Sequence, residues 1–552
     1  MKYPKIPLAQ SIIEICRFHG VKHVVIAPGS RNAPLTIGFA SHPDFQCYSI
    51  ADERCAAFFA MGIAQQLKHP VAVVCTSGSA VLNFYPAVAE AFYSMIPLVV
   101  ISADRPPDKI DIGDGQTIRQ DGVMALHTVK SVSLTEEASE VNDILINEAL
   151  HAAVLQKSPV HINAPFEEPL YDTEDTLTVD PLLMPISKPD YCLDWEEIIA
   201  ATNLWNNADR KLVLVGSLNP EALSTEVIHQ LATDPSVLVM TETTSNLQHP
   251  FFIHDIDTFI TPFSEEDIHA FAPQVLITFG GMVVSKRIKS LLRTHPPKRH
   301  IHIDPLRAYD TFGALTHHFK VEASTFFEQI APHVREFKSH YRSWGQQLKV
   351  QRKSAAEVYL QNIPFSDLKV FEYLAKVIPL HYQIQMANSS SVRYAQLFEQ
   401  AVGVPFYCNR GTSGIDGSTS TAIGAALVSA QPVVCITGDI SFFYDSNALW
   451  NAYIPKNFKI IVINNGGGGI FRILPGHQEQ EVFHTYFETA HCLTAQHLAA
   501  MYGFEYHTAS DASGLQDILA TFFTSDECPQ LLEIFTPTRE NDGVLKGFFK
   551  AL

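Results

Sequence analysis

Two short apolar runs with polar ends dominate residues 431–476, QPVVCITGDISFFYDSNALWNAYIPKNFKIIVINNGGGGIFRILPG. The first, Pro432–Thr437, stops at Gly438-Asp439, and a helix-like segment follows at roughly Asp445–Tyr453. The second, Lys459–Ile463, stops at Asn464-Asn465 and four consecutive glycines. Runs this short and this uniformly apolar suit strands buried on both faces of a parallel sheet. Ligands of such sheets bind at the carboxyl ends of the strands. There this chain offers a carboxylate, a side-chain amide and a free backbone carbonyl in the glycine run. That hard-oxygen set suits Mg²⁺ held together with a phosphate-bearing ligand, which completes the octahedron.

The chain has 552 residues, too many for one core, and is expected to form about three domains. Its charged fraction of 18% and apolar fraction of 46% describe an ordinary globular composition. No run of 18 apolar residues predicts a membrane span, and the first twenty residues read as an amphipathic helix rather than a leader. Nine scattered cysteines without a CxxC pair suit reduced thiols, so a cytoplasmic protein is expected. A formal charge of −19 argues against nucleic acid as partner and means that any anionic ligand needs a local arginine cluster. His295, His300 and His302 crowd the segment THPPKRHIHIDP. It is read as a turn entering a strand, with metal binding as the alternative.

Along the chain, residues 8–19 have helical apolar spacing and end at Gly20. Strands are expected at His23–Ala27, Tyr48–Ile50, Val71–Cys75 and Leu98–Ser102, each ending in small or polar residues. A second set is expected at Lys211–Val215, Val237–Met240, Val275–Phe279 and His300–Ile303, after a helix at 195–206. Residues 172–190 and 340–362 read as linkers, and Ser366 as the cap of a helix to about Val377. Strands alternating with helices predict an α/β protein of three doubly wound parallel-sheet domains. The expected boundaries are 1–180, 190–345 and 360–552.

Asp439 and Asn465 resemble the Gly-Asp…Asn-Asn signature of thiamine diphosphate (ThDP) enzymes, with Ile440 where that signature has glycine. The order of the three units resembles the pyrimidine-binding, central and diphosphate-binding layout of the pyruvate oxidase and decarboxylase type. Six motifs narrow the resemblance: APGSRNAPL, TSGSAVLNFYPAVAEA, ADRPP, GQTIRQ, NRGTSGIDG and NNGGGGIF. Together they are similar to the 2-succinyl-5-enolpyruvyl-6-hydroxy-3-cyclohexene-1-carboxylate (SEPHCHC) synthases of menaquinone biosynthesis. The resemblance implies a transferase that decarboxylates 2-oxoglutarate with ThDP and Mg²⁺, or Mn²⁺. It then adds the succinyl carbanion equivalent to isochorismate in a 1,4-addition. It also implies a homodimer, or a dimer of dimers, whose active sites lie at the subunit interface.

By the same resemblance, Glu53 is the carboxyl group that activates the cofactor's aminopyrimidine, and the apolar helix after it suggests a buried position. Ile415 is the apolar side chain that bends the cofactor. Gly438 belongs to the cofactor site, and Asp439, Asn465 and Gly467 hold the metal. Gln116 contacts the reacting groups. Ser30, Arg31, Arg105, Lys286, Ser389, Arg393 and Arg410 bind substrate carboxylates, for which guanidinium forks are well suited. Ile470, Phe471 and Leu474 form an apolar wall, and Arg119 lies beside the same motifs. Gly115 and Gly469 depart from the family pattern, and Asp114 adds a negative charge near a site for anions. The alternatives are another ThDP-dependent 2-oxo-acid decarboxylase or carboligase of the acetolactate synthase kind, or a catalytically silent homologue.

Overall fold

The computed structural model describes residues 2–473 and 480–552. Three parallel sheets organise it. The first has six strands, in spatial order Gln46–Ser49, His23–Ile26, Val71–Cys75, Leu98–Asp104, Val160–Pro165 and Lys130–Ser133. The third also has six, in the order Phe406–Cys408, Gln383–Met386, Val433–Gly438, Lys459–Asn464, Gln530–Phe535 and Glu505–Ala509. Numbered along the chain, both run 2-1-3-4-6-5, so the two sheets share a topology. The middle sheet has five strands in the order 2-1-3-4-5. Each order reverses between its first and third strands, which is where such folds open a crevice.

In the first sheet that reversal lies between Ile26 and Cys75, and it delivers residues 27–31 and 76–79 to one crevice. In the third it lies between Met386 and Gly438, and it delivers Ser389 and Asp439 to another. In the middle sheet the equivalent gap is filled by backbone. Gly281 N donates to Ser217 O at 2.6 Å, and a Cβ at Gly216 would stand 1.9 Å from Gly281 O.

Side-chain alternation explains the layering. Val25, Val73 and Val100 face a core shared with Cys435, Ile460 and Val462 of the third sheet. Val24, Val74 and Val99 face the opposite side, under the Pro7–Phe18 and Glu140–Leu155 helices. Helices Glu53–Leu67 and Ser418–Val428 cross within the shared core, where bare backbone meets backbone. A Cβ at Gly62 would lie 2.1 Å from Thr421 O, and one at Gly424 would lie 2.0 Å from Phe59 O.

Most expected strands are present within a residue or two. Gly20 (φ 73°) ends the first helix, with Val21 N donating to Cys16 O, and Ser366 caps Asp367–Val377 by accepting from Lys369 N. Two expectations are corrected. Residues 340–362 are not a linker but contain the 21-residue helix Tyr341–Gln361, which buries Tyr341, Leu348, Ala356 and Leu360 along a narrow stripe. The helix between the two runs begins earlier than expected, at Asp439–Tyr444, and only a 3-10 turn at Ser446–Leu449 follows. His300 lies inside strand Arg299–Ile303, bonded to Thr278 Oγ1 at 2.8 Å.

Replacing Gly424 by valine should destabilise the chain by ~1–3 kcal/mol or more, because the atom in the way is backbone. Gly543→Ala, whose Cβ would meet nothing within 4 Å, should leave the melting temperature unchanged or slightly raised. Equal melting temperatures for Gly424→Val and wild type would refute the close crossing.

Candidate active site

The third sheet builds a compact oxygen cluster from two neighbouring strand ends. Asp439 opens its helix, and its Oδ2 accepts from Gly467 N at 3.0 Å while Oδ1 accepts from Ile440 N at 2.7 Å. Gly467 adopts φ 152°, which favours glycine and lets the turn reach back to Asp439. His491 Nε2 stands 3.3 Å from Asp439 Oδ2, in ion-pair range but off hydrogen-bond alignment. Asn465 Nδ2 donates to Asp367 Oδ2 at 2.9 Å, and Asn465 Oδ1 is buried with no donor among the described residues. An unsatisfied buried acceptor beside a buried carboxylate fits a cation-binding role, since such atoms are costly unless something occupies them. Burial pushes the Asp367 carboxyl up to about 6, against hydrogen bonds from Thr536 and Asn465, and the neighbouring Asp439 charge adds to the rise.

Ile415 is 36% exposed, and its carbonyl accepts from Ser441 Oγ at 2.6 Å, which ties it to the helix that Asp439 begins. Gly438 ends the strand before it. Ser389 holds φ 67°, a strained conformation for serine, at the start of helix Ser390–Ala395. Arg393 Nη1 donates to the Ser389 carbonyl at 2.5 Å, and Arg410 Nη1 donates to Asn388 Oδ1 at 2.7 Å. Neither guanidinium has a carboxylate within 4 Å among the described residues. Burial, and then the charge of Arg410, hold Arg393 below its ordinary range. The Arg410 loop is pinned by Glu90 of the first unit, which accepts from Gly411 N at 2.6 Å and Thr412 N at 2.7 Å.

The middle unit supplies Lys286, exposed at the start of helix Lys286–Thr294. Buried Glu242 fixes the turn before it by accepting from Val284 N at 2.6 Å and Ser285 N at 2.7 Å. Ser285 Oγ donates to Asp257. Burial pushes Glu242 up to about 7, with Asp257 raising it further and Arg410 pulling it back.

The first unit gathers a second group. Glu53 is partly buried at the start of helix Glu53–Leu67, where Asp52 caps Cys55 N. The full burial expected for Glu53 is thus not reached within one chain. Burial raises the Cys75 thiol well above its usual range, and the charge of Glu53 adds to the rise. Ser30 is exposed at the neighbouring strand end. Buried Arg31 reaches Phe166 O at 2.9 Å and Glu168 Oε1 at 3.2 Å. Gln116 is exposed at φ 56°, with its backbone 3.3 Å from where a Gly78 Cβ would stand. Arg105 follows Asp104, and its Nε is buried without a partner. Arg119 lies apart, in an exposed pair with Asp111.

Ile470 and Phe471 form part of the short helix Ile470–Ile473, and Leu474 falls outside the described residues. A Cβ at Gly115 would meet nothing within 4 Å, and one at Gly469 would sit 3.4 Å from Asn465 Nδ2, so neither departure from the family pattern crowds the site. A recess of about 830 Å³ opens elsewhere, between the middle and third units near Leu218, Gln248 and Phe406. Among the described residues no hydrogen bond or ion pair joins Glu53 to Asp439 or Asn465.

Comparison with known proteins decides the family. Residues 6–126 match the thiamine pyrophosphate enzyme N-terminal TPP binding domain, and residues 389–534 match the C-terminal TPP binding domain. The SEPHCHC synthase of Flavobacterium johnsoniae is 59% identical, with all of both chains covered. That of Flavobacterium psychrophilum is 58% identical over the full length of both. That of Porphyromonas gingivalis is 38% identical over 98% of this chain and 96% of its own. The chain belongs to the SEPHCHC synthase family of thiamine diphosphate enzymes. Full-length similarity of this kind does not favour the acetolactate synthase alternative. What sequence reading missed in this SEPHCHC synthase family member is an acid set, buried Glu90, Glu242 and Asp367 with half-buried Asp257. Each meets partners far away in sequence, and only the Ser366 cap hinted at one of them.

Glu242 gives a pH test. Its folded-state carboxyl is raised above the ordinary value of 4.5 to about 7. Its contribution to stability is therefore full below pH 4.5 and is lost as pH rises through 7. Glu242→Gln should remove up to about 3 kcal/mol of that pH dependence, seen as a flatter melting-temperature profile between about pH 5 and pH 8. A profile parallel to wild type would show that Glu242 does not titrate in this window.

Proposed function

We propose that this chain is a SEPHCHC synthase, which decarboxylates 2-oxoglutarate and adds the succinyl unit to isochorismate with release of CO₂. We further propose that it works in the cytoplasm as a homodimer, with Mg²⁺, or Mn²⁺, beside the ThDP diphosphate. The carrying observation is the Arg393–Arg410 pair. Two guanidiniums, Arg410 buried and Arg393 half-buried, that repel each other and have no carboxylate within 4 Å among the described residues call for an anionic ligand. Both proposed substrates are dianions, whereas pyruvate would need one anchor.

Bound ThDP supplies a carbanion centre at thiazolium C2 for attack on a 2-oxo acid. The residues of this chain do the remaining work. Asp439, Asn465 Oδ1 and the Gly467 carbonyl would hold the metal. Glu53 would hold or release a proton at the aminopyrimidine ring. Ile415 would support the cofactor's bend. Arg393, Arg410, Ser389 and Lys286 would orient carboxylates, with Arg31, Arg105, Ser30 and Gln116 at the facing strand ends. Ile470 and Phe471 would exclude water beside the isochorismate ring.

A second subunit is favoured because, among the described residues, no hydrogen bond or ion pair joins Glu53 to Asp439 within one chain. Leu82 (46% exposed), Tyr444 (53%) and Trp450 (58%) also stand open beside these strand ends. Among the described residues, no helix is long and apolar enough to cross a membrane.

The test is CO₂ release from 2-oxoglutarate with ThDP and Mg²⁺, with and without isochorismate. Fast release only with isochorismate, with pyruvate inert as donor, is expected. Arg410→Ala should lower kcat/KM by roughly 10- to 100-fold, the scale of one charged hydrogen bond, without changing ThDP affinity. Release indifferent to isochorismate, or a fully active Arg410→Ala, would overturn the assignment.

A further inference from the structure

The buried acid Asp367 has no part in the chemistry described so far, yet it touches the proposed metal site. It opens helix Asp367–Val377, where its own N–H donates to Asn541 Oδ1 at 2.8 Å. Its two oxygens are both engaged as acceptors. Thr536 Oγ1 donates to Oδ1 at 2.6 Å, and Asn465 Nδ2 donates to Oδ2 at 2.9 Å. A side-chain amide has two chemically different faces, and only hydrogen bonding decides which face points where.

With its amide nitrogen taken by a carboxylate, Asn465 must turn its oxygen the other way. That oxygen is buried and accepts no hydrogen bond among the described residues. Were the amide flipped, Asn465 Oδ1 would face the Asp367 carboxylate, acceptor against acceptor, and an N–H₂ would face the cation. Both ends of the flipped state are unfavourable.

We infer that Asp367 is a positioning residue: its carboxylate locks the Asn465 amide with the oxygen presented to the cofactor's divalent cation. Residues that orient a metal ligand from behind commonly change metal affinity by roughly 10–100-fold when removed. The anchor is itself rigid. Asp367 is fixed by its own backbone N–H, which donates to Asn541 Oδ1, and by the Thr536 hydroxyl just beyond strand Gln530–Phe535, so separate segments of the chain hold the carboxylate that faces the Asn465 amide.

The inference rests on the metal reading of Asp439 and Asn465, and the experiment separates the two. The probe is Mn²⁺ titrated by EPR into the full-length protein with saturating ThDP. Asp439→Ala tests the site itself and should abolish tight Mn²⁺ binding. Asp367→Asn, nearly isosteric, should weaken Mn²⁺ by roughly 10–100-fold, because an amide at position 367 no longer dictates which face Asn465 presents.

The reciprocal double variant Asp367→Asn/Asn465→Asp exchanges donor and acceptor. The carboxylate at 465 offers oxygen to the cation in either orientation, so Mn²⁺ affinity should recover toward wild type. It should also do so if Asp367→Asn alone folds poorly. Loss in Asp439→Ala with unchanged binding in Asp367→Asn would overturn the positioning role and leave the site standing. A double variant that binds no better than Asp439→Ala would also overturn it. Unchanged binding in Asp439→Ala would overturn the metal reading and this inference with it.

Discussion

One hydrogen bond, from Gly467 N to Asp439 Oδ2, closes the gap between two neighbouring strand ends. Everything at the candidate site depends on that closure. The topology of the third sheet puts the ends of Val433–Gly438 and Lys459–Asn464 side by side. The glycine run lets the backbone fold back, at a conformation that other residues rarely adopt. The helix that Asp439 begins then carries the tie to Ile415 through Ser441, and the turn carries Asn465 against Asp367. A parallel sheet supplies the place, and a run of small residues supplies the freedom to use it.

Buried charge organises the rest. The chain carries a net charge of −19, so its overall field opposes anionic substrates. The local arrangement offsets this by holding half-buried Arg393 and buried Arg410 with no carboxylate within 4 Å among the described residues. Acids are kept near but turned to other tasks. Glu90 grips the backbone of the Arg410 loop, Glu242 grips the turn before Lys286, and Asp257 takes the Ser285 hydroxyl. Carboxylates satisfied by backbone N–H groups stabilise the loops around the cations while leaving the guanidinium forks available.

The strand ends were legible in the sequence because buried parallel strands are uniformly apolar and stop abruptly, as at Gly438-Asp439 and Asn464-Asn465. Edge strands such as Lys130–Ser133, Leu315–Phe319 and Glu505–Ala509 were not, because most of their residues are polar and at least partly exposed. The helix Tyr341–Gln361 reads as linker because it buries only a thin stripe, and its remaining faces are polar. The anchoring acids were illegible for another reason. Glu90 meets residues more than 300 positions away, and Asp367 meets Asn465 98 positions away, so no local pattern marks them. Motif resemblance proposed the groups that face the chemistry, and the folded chain adds the acids packed behind them.

The central claim is that one subunit's Glu53 completes the metal and diphosphate site of another. The direct measurement is complementation in hetero-oligomers of differently tagged Glu53→Gln and Asp439→Ala chains. Each parent should be inactive alone. A purified mixed dimer should regain roughly half of wild-type turnover, since one of its two sites is built from an intact Glu53 and an intact Asp439. A mixed dimer as inactive as its parents, with oligomerisation confirmed, would contradict a shared site.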